Sequence, residues 1–162
     1  MRFPVLAAFA ALTLAAHAEA APYRLGGLEV AQVWSRPAAA GTNGAGFMTL
    51  SNKGKAADTL KAVESPAAKR VEIHQTSMMG GVMSMKRLDA GVQVGPGETV
   101  TFGPGGYHLM LIGLTKASKA GDKLPATLIF ASGGRLKVEF QVGAGPNPMP
   151  GMDMDHMDHM KH

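Results

Sequence analysis

The sequence predicts an all-β fold, a Greek-key sandwich or small barrel, on three observations. Short stretches alternate apolar and polar residues with period two. Gly, Pro, Asn and Ser clusters separate those stretches. No long segment carries an apolar stripe at helical period. In chain order the candidate strands are 28–34, 46–52, 58–63, 71–76, 82–88, 99–102, 107–114, 126–131 and 135–142. Pro37 to Ala45 shows no period after its proline and reads as an exposed loop, as does the segment from Lys116 to Lys123. Met79-Gly80-Gly81 and Ser132-Gly133-Gly134 each supply positive φ between two strands, which makes both hairpin connections, and places Met78 and Met79 in a turn. Pro104-Gly105-Gly106 stops one strand immediately before the next begins.

Composition narrows the chemistry. A chain of 162 residues suits one globular domain. The absence of Cys excludes disulfides, thiolate zinc sites, blue-copper centres, iron-sulfur clusters and thiol catalysis, so any soft ligand must be methionine. There are 12 Met against one Trp, two Tyr and six Phe, which makes methionine the compositional oddity. The formal charge of +4 rests on basic residues scattered along the chain, never beyond an adjacent pair, and the aromatic residues do not interleave with them. That is an ordinary basic surface without a nucleic-acid footprint.

Three segments are expected. Residues 1–20 read as a cleaved secretory signal: Arg2, an apolar run from Phe3 to Ala16, and small residues at Ala18 and Ala20, with the cut after Ala20. His17 and Glu19 keep the run shorter than a spanning helix requires, so no stable membrane insertion is expected. Residues 21–143 form the β-domain. Residues 144–162 change to Gly, Pro, Met, Asp and His, a composition that cannot bury enough apolar surface to fold alone and predicts a flexible, disordered tail.

The candidate site combines histidine with methionine. His108 and Met110 alternate along a predicted strand and so share a face. Partners come from His74 on a second strand and from the Met83-Ser84-Met85 stretch on a third. Met83 and Met85 also share a face, so periodicity does not choose between them. A set such as His74, Met85, His108 and Met110 offers two imidazoles and two thioethers with no carboxylate, which selects Cu(I) over oxygen-seeking Ca²⁺ or Mg²⁺ and over Zn²⁺. Cu(II) prefers nitrogen and oxygen donors, so the same set holds the oxidised ion less well. The bland alternative is that strand methionines fill the core and the histidines are structural. In the tail, Met152, Met154, His156, Met157, His159, Met160 and His162, interleaved with Asp153, Asp155 and Asp158, form a metal-binding tract whose imidazole and carboxylate donors suit Cu(II).

The run Val71-Glu72-Ile73-His74, then Met85, then Gly105-Gly106-Tyr107-His108-Leu109-Met110 resembles the periplasmic copper chaperones called PCu(A)C, and the likeness extends to Trp34-Ser35-Arg36-Pro37 and Phe47-Met48-Thr49-Leu50. The resemblance implies a cupredoxin-like β-sandwich that holds one Cu(I) through His74, Met85, His108 and Met110. It implies a periplasmic chaperone, not an enzyme, that delivers copper toward the CuA centre of cytochrome c oxidase alongside thioredoxin-like Sco proteins. It further implies extra copper, notably Cu(II), on the tail. A monomer is expected. Copper storage or resistance, and copper redox chemistry, are the competing functions. Blue-copper electron transfer is disfavoured by the missing Cys, and superoxide chemistry by the presence of only two sheet histidines.

Overall fold

The computed structural model describes residues 20–146, so the signal read in residues 1–20 and the tail ligands Met152 to His162 lie outside the described residues, apart from Ala20. Eleven strands are present: β1 (Tyr23–Leu25), β2 (Leu28–Ser35), β3 (Gly44–Asn52), β4 (Asp58–Glu64), β5 (Ala68–Met79), β6 (Val82–Arg87), β7 (Val92–Val94), β8 (Thr99–Phe102), β9 (Tyr107–Leu114), β10 (Lys123–Phe130) and β11 (Arg135–Val142). Among the described residues there is no helix, and none long and apolar enough to cross a membrane. The strands hydrogen-bond in the order β6-β5-β9-β8-β3-β2-β11-β10-β4-β7, with β1 beside β2 and a further β3–β9 pairing. Most pairs are antiparallel; β11–β2 and β8–β9 are parallel, so the sheet is mixed.

Sequence alternation accounts for the core. In β11 the buried Leu136, Val138, Phe140 and Val142 alternate with exposed Arg135, Lys137, Glu139 and Gln141. One cluster joins Ile73 of β5 and Leu109 of β9 to Leu60 of β4, Val94 of β7, Leu128 of β10 and Phe140 of β11. Strands from both ends of the pairing order can reach one core only if the ladder curls into two facing layers, the arrangement of a β-sandwich. Each fully buried Leu, Val or Phe there contributes about 1.5–3 kcal/mol by leaving water. In β2 the alternation breaks at Gln32, whose φ is 51°, where the register with β3 shifts between Ala31 and Trp34. The bulge changes the inward parity from Leu28 and Val30 to Val33 and Ser35.

Several boundaries differ from the sequence reading. Strands β1 and β7 are three residues each, too short for alternation to register. Strand β3 begins at Gly44, inside the segment read as a loop, because Gly44 and Gly46 pair with Leu111 and Leu109 of β9. A side chain at Gly46 would stand 2.9 Å from the Phe140 ring, so glycine there reflects close packing and not a loop. Strand β10 starts before Pro125, which is tolerated because β4 pairs with β10 only from Thr127 onward. Met78 and Met79 are the last residues of β5 and not part of the turn; the two-residue connection is Gly80-Gly81, with φ of 58° and 79°. The hairpin at Ser132-Gly133-Gly134, joining β10 to β11, agrees with expectation.

Candidate metal centre

The position of the four sheet residues follows from two buried neighbours. Ile73 of β5 and Leu109 of β9 are directly opposed and buried in the core. Strand parity therefore turns the adjacent His74 and His108, also directly opposed, to the outer face. Their rings lie 5.6 Å apart, centroid to centroid, tilted by 56°. Met110 follows His108 by two residues and shares that face. On β6, Met85 is opposite Thr76, which follows His74 by two residues, so Met85 joins the same face about 7 Å along the ribbon. Met83 is opposite Met78, a further strand repeat away. Register thus ranks Met85 ahead of Met83 where periodicity could not.

The hydrogen bonds leave each imidazole with one lone pair. His74 Nε2 is 2.8 Å from Glu72 Oε2. Two arginines hold the Glu72 carboxylate: Arg70 Nε at 2.8 Å and Arg87 Nη1 at 3.3 Å, both to Oε1. The Arg70 bond, then the His74 bond and the nearby Arg87 charge, lower the Glu72 pKa to about 2 against the opposing cost of burial. An ionised carboxylate only accepts, so Nε2 of a neutral His74 carries the proton and donates it to Glu72. Nδ1 is then the basic nitrogen, and it is buried with no hydrogen-bond partner. His108 Nδ1 lies 3.2 Å from the Gly106 carbonyl oxygen, also an acceptor only, which leaves the lone pair on Nε2. A ring nitrogen donating to a carboxylate or carbonyl while the other is free is the arrangement that orients metal-ligating histidine.

Exposure separates the methionines. Met48 is 1% exposed and fills the core, as the bland reading expects. Met78, Met79, Met83 and Met85 are 66%, 77%, 68% and 52% exposed, which no packing role explains. Among the described residues no group of three or more His, Asp or Glu gathers as a harder-ion site. A cleft of about 320 Å³ lined by Val30, Gln32, Trp34 and Pro146 contains none of the four residues.

Glu72, inside the run from Val71 to His74, is a functional candidate that residue type alone does not mark. The signal was the Glu-x-His spacing, which puts a carboxylate and an imidazole side by side on one strand face. The cross-strand Arg87, opposite His74, was invisible without the β5–β6 register.

Residues 28–142 match the family model described as "Putative lipoprotein LpqE-like". The protein Lxx21020 of Leifsonia xyli subsp. xyli is 30% identical over 132 residues, covering 82% of this chain and 79% of that one. Among solved structures, the copper-bound PCuAC domain from PmoF2 is similar, with a TM-score of 0.63 and 25% identity over 75% of this chain and 96% of that one. The solution structure of CuI-DR1885 from Deinococcus radiodurans has a TM-score of 0.53 and 28% identity, over 68% of this chain and 75% of that one. The fold is therefore the cupredoxin-like sandwich that the PCu(A)C resemblance implied, and the chain belongs to the LpqE-like family, which is related to PCuAC.

Proposed function

We propose that this chain is a copper chaperone whose cargo is Cu(I), held by His74 Nδ1, His108 Nε2 and the thioethers of Met85 and Met110. The observation that carries the reading is the buried His74 Nδ1, left without a partner while Glu72 occupies the other ring nitrogen. A buried unsatisfied nitrogen costs roughly 1–3 kcal/mol, and a soft cation beside it removes that cost. Two neutral imidazoles and two thioethers favour the cuprous ion. Copper-bound PCuAC of PmoF2 and CuI-DR1885 are copper-loaded proteins of similar fold, which supports the same cargo here. Met85, half exposed on an edge strand, gives an acceptor a ligand to displace, as transfer by ligand exchange requires.

The lipoprotein description of the family supports export, and with the PCu(A)C resemblance it favours the periplasm, reached through the signal in residues 1–20. The acceptor we favour is the CuA centre of cytochrome c oxidase or a Sco-like protein. The β-domain of residues 21–143 acts without catalytic turnover and as a monomer. Met152, Met154, His156, Met157, His159, Met160 and His162 add capacity, including for Cu(II).

The test is anaerobic competition for Cu(I) between the full chain and a chromophoric chelator. His74→Ala, His108→Ala and Met110→Leu should each lower affinity at least about tenfold, equivalent to about 1.4 kcal/mol, with strand content unchanged by circular dichroism. Wild-type affinity in both His74→Ala and Met110→Leu removes the site. Fast redox turnover by the loaded wild type favours an enzyme.

A further inference from the structure

Beyond Gln75, β5 no longer pairs residue for residue with β9, and Thr76 to Met79 form a two-stranded ribbon with Val82 to Met85 of β6. The two faces of that ribbon differ. One carries Thr76, Met78, Met83 and Met85, continuing the face of His74 and His108; the other carries Gln75, Ser77, Ser84 and Lys86, with Met79 and Val82 at its tip. Met78 and Met83 are directly opposed, so their Cβ atoms stand roughly 4.5–5.5 Å apart, and flexible thioether chains can close on one ion between them. Both are about two-thirds exposed, which rules out core filling.

We infer that Met78 and Met83 form a second, weaker station for a soft monovalent metal ion, with Met85 shared between this station and the histidine pair. The inference rests on the copper reading of that pair and extends it. Three thioethers spaced along one face lead from the outer end of the ribbon to the imidazoles. An ion arriving at Met78 and Met83 meets only neutral sulfur donors and exchanges rapidly. Passing inward, it keeps Met85 while gaining imidazole nitrogen. No proton or electron moves in this step; one metal–sulfur bond is exchanged for a metal–nitrogen bond at a time. The station is open to solvent, whereas His108 is 7% exposed and the His74 side chain 13%, so the station loads and unloads ahead of the buried pair.

Met79 supplies an internal control, because it is the most exposed of these methionines yet lies on the other face. The full chain, labelled with ¹³C at the methionine methyls and assigned by single Met→Leu variants, is titrated anaerobically with Cu(I). The first equivalent should shift Met85 and Met110. Further Cu(I) should shift Met78 and Met83 together, with a dissociation constant at least tenfold weaker, while Met79 stays in place. Met83→Leu should abolish the Met78 shift. In the Met78→Leu/Met83→Leu variant, transfer of Cu(I) to the chelator should slow at least threefold with first-site affinity unchanged. Equal responses of Met78, Met83 and Met79 overturn the second station, as does full transfer rate in the double leucine variant, which keeps the apolar surface and removes only sulfur. A first equivalent that leaves Met110 unmoved instead overturns the primary site and is distinguishable from either result.

Discussion

Glu72 shows how much a single side chain organises. Its carboxylate accepts from Nε2 of His74 and so leaves Nδ1 without a proton, while Arg70 and Arg87 hold the other carboxylate oxygen. Glu72→Gln keeps the shape and loses the charge, so the amide can present either an acceptor or a donor to Nε2. Cu(I) affinity in a chelator competition should fall about tenfold, at the lower end of the 10–100-fold typical of residues that orient ligands. The same variant tests the pH dependence of the metal-free chain. The folded pKa of Glu72, about 2, lies below its ordinary value of 4.5, so the unfolded state binds the proton more readily. The stabilisation from ionised Glu72 is complete above about pH 4.5 and is lost as pH falls through about 2. Thermal unfolding at pH 5, 4 and 3 should show a shallower decline for Glu72→Gln than for wild type; parallel declines contradict the assignment. His74 and Met110 stood out in the sequence by residue type and spacing. Glu72 and Arg87 did not, because charged residues on strands are ordinary until a register puts them beside an imidazole.

The β5–β6 hairpin is the element on which the candidate site turns. Every residue of β6 is exposed and, among the described residues, β5 is its only partner strand, so hydrogen bonds and the turn hold it in place with little help from burial. Two-stranded ribbons of this kind are marginal alone. The hairpin was readable because a diglycine between alternating stretches supplies, without steric cost, the positive φ that a two-residue hairpin turn needs. Strands β1 and β7 were not readable, since three residues carry too little pattern. The choice between Met83 and Met85 was closed to periodicity, though the family resemblance pointed to Met85: both occupy one face, and the pairing of β5 with both β6 and β9 sets their distances from His74 and His108. Gly81 has φ of 79°, where a side chain is strained even though no atom lies within 4 Å of the added carbon. Gly81→Val should therefore cost about 1–2 kcal/mol locally. Hydrogen exchange should accelerate at β6 amides and remain unchanged in β11. Cu(I) affinity should fall by about as much as in Met85→Leu, since β6 is what brings Met85 to the histidines. Unchanged exchange in β6 shows that the turn does not set the register.

At the scale of the whole molecule, the core and the candidate site occupy opposite faces of the same strands. Ile73 and Leu109 point into the sandwich while His74 and His108 take the other face of the same strands, where His108 is itself buried. The fold class was legible because alternation of this kind both identifies a strand and assigns its faces; the pairing order was not, because neighbours such as β5 and β9 are distant in sequence. This division predicts that stability and metal binding are separable. Leu128 of β10 is fully buried in the core cluster, and Leu128→Ala should destabilise the metal-free chain by about 2–5 kcal/mol. At free Cu(I) one hundred times the dissociation constant, a site that exists only in the folded state adds about 2.7 kcal/mol to unfolding. Urea titrations under anaerobic buffered Cu(I) should find that increment in wild type, find nearly all of it in Leu128→Ala, and find less in His74→Ala at the same free Cu(I) because its weaker site is less saturated. Loss of the increment in Leu128→Ala while its metal-free fold persists means that core packing sets the ligand geometry. A full increment in His74→Ala means that the stabilising copper is bound elsewhere, and the outward-facing pair is not the centre.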